Sequence, residues 1–317
     1  MGSVLHFRRN KGHLNDEEQK LFAALEAVRN DVDPIERVRR DPVQFAHRFR
    51  DPHDQELVGL LAASLAFGNV TTILAKVESI LAILGPSPTT ACDNRGPIQK
   101  ALAHIRHRVF RGDDMARLLF GARSLQRSSG TLGRAFVKHL DEGGTLREGL
   151  ARWASDIRAR GGLPSIETRS AVGDLRGGKH ILPNVQAGGA SKRLLLYLRW
   201  MIRPADGIDL GLWAVSPSRL VLPLDTHLHK IARNLGLTDR ADASWRTAEK
   251  ITERLLRFDP DDPIKYDFAL CHLGMLQRCP SRRDPKRCEG CPLMPYCKHW
   301  RPSRKRSLAP GKVGVPL

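Results

Sequence analysis

Lys192 and Asp225 are the two residues whose type and setting most readily do chemistry. Ala187-Gly188-Gly189-Ala190-Ser191-Lys192 leads straight into the apolar segment Lys192 to Arg203. Small residues let a turn bring its backbone N–H groups against a phosphate, and the helix N-terminus that follows adds partial positive charge. That positive end and the neighbouring Arg193 both disfavour a protonated amine, so the Lys192 pKa is expected to be lowered and the amine nucleophilic. Asp225, in Pro223-Leu224-Asp225-Thr226-His227, stands directly before a helix. Asp is a preferred N-cap, and a carboxylate at that place also projects into a cleft. His227 reads as part of the helix start. Lys179, in Gly177-Gly178-Lys179-His180, is a second candidate amine, ranked lower because no helix start follows it directly.

The other concentration of chemistry is sulfur. Of six cysteines, Cys271, Cys279, Cys288, Cys291 and Cys297 fall within 27 residues, which in a reducing compartment points to metal rather than disulfides. From Cys279 the spacing is C-x8-C-x2-C-x5-C, with Pro280, Pro292 and Pro295 holding the loop open. Four thiolates on such a loop surround a [4Fe-4S] cluster or a tetrahedral Zn2+. A zinc ribbon more often has two C-x2-C pairs; one is present, so iron–sulfur is preferred and zinc is the alternative. Cys271, on the helical segment YDFALCHLGML, and the isolated Cys92 read as small core residues. Arg278 to Arg306 holds ten Lys or Arg against two acidic residues. A cluster that orders Arg282, Arg283, Lys286 and Arg287 would present them to phosphates without the entropy cost of a free tail. Residues 301–317 read as a flexible basic tail.

The elements that must position these groups are helical. Gln55 to Phe67 is almost wholly apolar and stops at Gly68-Asn69; Thr71 to Leu84 stops at Gly85-Pro86. Weaker helical patterns cover Glu17 to Val32, Asp114 to Ser128, Thr131 to Leu140 and Leu146 to Arg158. Leu228, Ile231, Ala232 and Leu235 give the i, i+3, i+4, i+7 pattern over Thr226 to Leu235, with Gly236 as its stop, and Trp245 to Phe258 repeats it. Arg160 to Ala190, with seven glycines and few apolar runs, is expected to be a long loop. The class is all-α.

The chain has 317 residues, 52 Lys plus Arg against 34 Asp plus Glu, and a net charge of +18, so a polyanion is the leading partner class. Its hydrophobic fraction of 41% is too high for a disordered basic tail. No apolar run is long enough for a membrane span, and the N-terminus lacks the apolar core of a signal peptide, so a cytoplasmic location is expected. Aromatics at 6% leave few rings for base stacking and disfavour a zinc-containing RNA reader.

A Gly-rich turn ending in Lys, then PLDTHLHKIARNLG, then a cysteine loop ending C-x2-C-x5-C, resembles the helix-hairpin-helix DNA glycosylases of the endonuclease III type. More closely, LLAASLAFGNVTTI, KRLLLYLRWMIR, PLDTHLHKIARNLGL and FDPDDPIKYDFALCHLG resemble a little-characterised bacterial family of unknown function related to that superfamily. The resemblance covers most of Gln55 to Trp300. It implies two helical domains around a cleft: a discontinuous one over 1–50 and 225–317, bearing the cluster, and a barrel over 51–224 with the hairpin at about 182–203. It implies that Lys192 attacks C1′ of the damaged nucleotide, that Asp225 stabilises the charge developing on the sugar, and that Gly188, Gly189, Ser191 and Arg193 lie against DNA. Asn69 stands where related enzymes insert a polar residue into the duplex. Ala190 replaces the usual second hairpin glycine, and the 33-residue interval from Lys192 to Asp225 and the eight-residue first cysteine loop are longer than the family pattern. The added segment carries Trp213, which lines a base pocket or packs on the barrel. The implied protein is a nucleoid-associated monomer acting on double-stranded DNA as a glycosylase with AP lyase activity; a glycosylase without lyase activity or a non-catalytic DNA-binding protein are the alternatives.

Overall fold

A computed structural model of the chain describes residues 14–31, 33–166, 176–276 and 278–301. Its helices in chain order are α1 (Asp16–Asn30), α2 (Pro34–Val38), α3 (Gln44–His47), α4 (Pro52–Leu65), α5 (Val70–Leu84), α6 (Pro88–Ala91), α7 (Arg95–Leu102) and α8 (Gly112–Ser129). There follow α9 (Leu132–Gly143), α10 (Leu146–Gly161), α11 (Arg176–Ile181), α12 (Lys192–Ile202), α13 (Thr226–Leu235), α14 (Trp245–Leu256), α15 (Asp267–Leu276) and α16 (Pro285–Cys288). The all-α expectation meets one exception among the described residues: β1 (Arg106–His107) pairs antiparallel with β2 (Phe110–Arg111). The loop expected over Arg160 to Ala190 holds α11 and a 3-10 turn at Val185–Ala187, and its residues 167–175 lie outside the described residues. So does the basic tail beyond Arg301.

Local chemistry sets the helix ends. Asn15 and Glu18 form a capping box on α1, Asn69 caps α5, Thr131 caps α9 and Ser244 caps α14, each accepting a first-turn amide. Glycines with positive φ close α5 at Gly85 and α13 at Gly236. Helix α4 is buried from Glu56 to Leu65 and packs against α3, α5, α6, α8 and α12. Its Glu56 carboxylate, 2% exposed, accepts from the Leu132 and Gly133 amides at the start of α9, from Gln126 Nε2 and from Trp213 Nε1 at 2.7 Å. Trp213 also stacks on Phe136 and meets Trp153 and Tyr197 edge-on, so it packs in the helical core.

Helices α8 and α10 cross at a glycine contact. A Cβ on Gly121 would stand 2.3 Å from the Ile157 carbonyl oxygen, and one on Gly161 2.2 Å from that of Arg117. At the other end, α1 is tied to the stretch before α15. Arg257 pairs with Glu18, Lys265 Nζ lies 2.6 Å from Glu26, and Tyr266 donates to the same carboxylate at 2.6 Å. Buried apolar residues from Leu21 to Leu293 form one connected cluster. Inside it Arg199, 1% exposed, reaches Asp209 and Asp267 at 3.1 and 3.0 Å. Among the described residues no helix is long and apolar enough to cross a membrane.

Candidate functional site

The connection before α12 is compact. Asn184 caps the Val185–Ala187 turn, Gly188 follows at φ +85°, and Ser191 takes a left-handed conformation at φ +48° before Lys192 opens the helix. The Gly188 carbonyl accepts from the Trp245 amide at 3.0 Å, and Gly189 bridges Ser244, so the turn is pinned to the start of α14. A Cβ added at either glycine would meet nothing within 4 Å, which leaves their outer side open to an incoming group. The opposing residue arrives on an extended, buried run, Leu220 to Leu224, held by the Leu222 amide donating to Thr252 Oγ1 at 3.0 Å.

Asp225 at the end of that run divides its carboxylate. Oδ1 accepts from the Leu228 amide at 2.8 Å and caps α13; Oδ2 lies 3.4 Å from Lys192 Nζ. The side chains are 17% and 33% exposed, so the pair is partly desolvated yet reachable. The Cys271 thiol donates to the same Oδ2 at 3.6 Å. Cys271, expected in the core, is half-buried and faces the carboxylate, and burial with Asp225 and Asp267 nearby raises it well above the usual thiol range. Burial pulls the Lys192 amine down, but Asp225, Cys271 and Asp267 outweigh it and the amine is raised. This corrects the expectation of a lowered lysine: the helix end and Arg193 are weaker than a carboxylate in contact. Asp225 is pushed up by burial and pulled further down by Lys192 and the Leu228 amide, so it is lowered. Behind them burial pushes Asp267 up to about 6 against the pull of Arg199. The resting pair is therefore ammonium and carboxylate.

The four cysteines of the C-terminal loop line one cavity with Ile231, Leu273, Met294 and Trp300. Its volume of about 40 Å³ is several times the roughly 10–15 Å³ that one water requires. Asn234 Nδ2 donates to Cys279 Sγ at 3.5 Å, Lys230 Nζ to the Cys279 carbonyl at 3.2 Å, and the Lys298 amide to the Asn234 carbonyl at 2.7 Å, which fasten the loop to α13. Burial raises the thiols of Cys279, Cys291 and Cys297, and each is raised further by another thiol of the set. His299 Nε2 and Trp300 Nε1, from residues on the wall of this cavity, are buried without a partner. Among the described residues no group of three or more His, Cys, Asp or Glu is set to hold a metal ion.

The model of a family described as a protein of unknown function, DUF2400, matches residues 41–276. The chain belongs to the DUF2400 family. No curated protein and no solved structure matches it. The span common to the DUF2400 family takes in Lys192, Asp225 and Cys271 and stops before Cys279.

The remaining expected residues of this DUF2400 chain are spread over four places. Asn69 is exposed and caps α5 through the Thr72 amide at 3.2 Å, after Gly68 at φ +106°. Arg282, Arg283, Lys286 and Arg287 are exposed on the cysteine loop, with Arg283 stacked 4.1 Å over Trp300. Lys179 lies half-buried on α11. Arg193, expected against phosphate, is turned inward: it donates to the carbonyls of Ser64, His180 and Ile181 and lies over the rings of Phe67 and Phe110. Sequence reasoning missed the β1–β2 hairpin beside Asn69. Arg106 and Arg111 are paired in register on its exposed side, and Arg108, at φ +53° in its turn, lies 4.9 Å over Phe67. Four basic residues in Arg106 to Arg111 were the available signal.

Proposed function

We propose that this protein is a DNA glycosylase that flips a damaged or modified base from double-stranded DNA and cuts its glycosidic bond, with AP lyase activity through Lys192. The observation that carries the reading is the Lys192–Asp225 contact at 3.4 Å, at the start of one helix and the cap of another, beside an open Gly-Gly turn. Flipping costs a few kcal/mol and favours weakened pairs. The turn at Asn69 and the arginine hairpin beside it stand ready to occupy the gap, and the net charge of +18 with the exposed arginines of the cysteine loop suits a phosphate backbone. Base departure leaves positive charge on the sugar, which the Asp225 carboxylate stabilises. The developing cation then competes with the ammonium for Oδ2, and the pull that keeps Lys192 protonated weakens.

The bookkeeping closes on these groups. The bond from C1′ to the base breaks and its electron pair leaves with the base. The Lys192 ammonium passes a proton through Asp225 Oδ2 to the departing base, and Nζ bonds C1′. Ring opening moves a proton from Nζ to O4′ and gives the Schiff base; β-elimination then passes the C2′ proton to the Asp225 carboxylate as the 3′ C–O bond breaks and its electron pair leaves with the phosphate, and water hydrolyses the imine to return the lysine. Cys279, Cys288, Cys291 and Cys297 would hold a [4Fe-4S] cluster, which would fix the basic loop and can carry an electron; the room among the thiols and two orphaned N–H-bearing rings favour it over zinc. A monomeric, nucleoid-associated enzyme in the cytoplasm is the setting that fits this reading.

Borohydride trapping on duplexes carrying oxidised, deaminated or abasic sites tests it. A covalent adduct is expected with the wild-type chain and none with Lys192→Ala. Base release without an adduct would make the enzyme a glycosylase without lyase activity, the reading favoured by the raised lysine. DNA binding without either would leave a non-catalytic binder.

A further inference from the structure

A second cavity, of about 400 Å³, is lined by α8, α10 and the connection between α6 and α7, and Lys192 is not part of its wall. Its floor is one face of α8: Phe120, Arg123, Ser124 and Arg127 stand at i, i+3, i+4 and i+7, so their side chains share a stripe. Arg160, from the last turn of α10, closes one side, and Asp93, from the connection between α6 and α7, the other. Three guanidinium groups against Asp93 and the Asp156 carboxylate that pairs with Arg160 leave the site about one positive charge in excess.

Two of these cations are held in place. Arg123 Nε donates to Asp93 at 2.8 Å and its Nη1 to Gln126 at 2.9 Å, and Arg160 Nε donates to Asp156 at 2.6 Å. Anchoring through Nε fixes the guanidinium plane, which reduces the entropy lost when a ligand binds. Arg127 is the exposed member, 61% accessible and 3.7 Å from Asp93. A planar fork of donors with surplus positive charge suits an oxyanion, and a phosphomonoester, at about −1.5 to −2 at neutral pH, brings three acceptor oxygens for guanidinium N–H groups. The volume lies in the range of small-molecule sites, roughly 300–1,000 Å³, and far exceeds inorganic phosphate. Helix α8 begins at Gly112 beside the arginine hairpin; Phe120 is eight residues on, about 12 Å along the axis. None of the lining residues is among those assigned to DNA, and nothing about the lining depends on that assignment.

We propose that the Arg123–Arg127–Arg160 cavity binds a small organic phosphomonoester of sugar-phosphate to nucleotide size. Calorimetric titration of the full chain with adenosine 5′-monophosphate, ribose 5-phosphate and adenosine is the test. Both phosphates bind and adenosine does not. Arg127→Gln, which removes the exposed cation, and Ser124→Glu, which places a carboxylate in the lining while leaving every arginine pair intact, each weaken binding about tenfold or more. Arg282→Gln leaves it unchanged. Failure of both phosphates to bind the wild-type chain overturns the proposal, as does affinity that survives both cavity variants. Displacement of the bound nucleotide by saturating duplex DNA would merge the cavity with the DNA face and equally overturn it.

Discussion

Asp225 holds Lys192 with one carboxylate oxygen and the first turn of α13 with the other. The structural and the chemical use of this residue are therefore separable by substitution. Asn keeps a capping oxygen and discards the charge, whereas Ala discards both. Asp225→Asn is expected to lose only the contribution of the ion pair, and Asp225→Ala to be less stable by about a further 1 kcal/mol. Calorimetric melting checks the order; equal losses in the two variants would show that the cap contributes nothing.

The pH dependence of the pair follows from the directions of its two shifts. The lowered Asp225 contributes stability above its unfolded pKa, near 3.9, and loses it as pH falls through the folded value. The raised Lys192 contributes below its unfolded pKa, near 10.4, and loses it as pH rises through the folded value. The stability difference between wild type and Asp225→Asn should be level from about pH 5 to 9 and close at both ends. Urea melts across that range measure it, and a difference that changes steadily between pH 5 and 9 would contradict the ion pair.

Loading of the cysteine cavity has a visible signature. Anaerobically purified protein is expected to be brown, with about four irons per chain, and Cys291→Ser to lose both colour and thermal stability. A colourless protein with one zinc per chain would assign the site to zinc.

The two basic surfaces should appear in the salt dependence of DNA binding. Arg282→Gln with Arg283→Gln, or Arg106→Gln with Arg108→Gln, is expected to reduce the slope of log affinity against log salt by about 0.9 for each phosphate that is no longer neutralised. Fluorescence anisotropy on one duplex suffices. An unchanged slope removes that surface from the interface.

The sequence was most informative where local rules act alone. Thr226 to Leu235 has the observed bounds because its apolar spacing, its cap at Asp225 and its stop at Gly236 all lie within a dozen residues. The electrostatics of Lys192 were misjudged for the opposite reason: its helix end and Arg193 are adjacent in sequence, while Asp225, 33 residues on, reaches it only through packing. Arg193 is likewise basic and next to the turn in sequence, yet Phe67, Phe110 and three carbonyls surround it in the fold. The β1–β2 hairpin has two residues to a strand, too few for an alternating pattern to register. The contact between Cys271 and Asp225 had no local sign at all.

The ties between α1 and the residues before α15 join positions about 240 apart in the chain. During synthesis α1 emerges long before Arg257, Lys265 and Tyr266 exist, so its Glu18 and Glu26 have only their local partners Asn15 and Arg29 while the helices between are made. The intervening segment, with its short-range contacts along α8, α9 and α10, can organise in that time, whereas the long-range ties of α1 wait for residues 257–266. A message cut short before Arg257 would thus leave α1, made early, without the residues that tie it down.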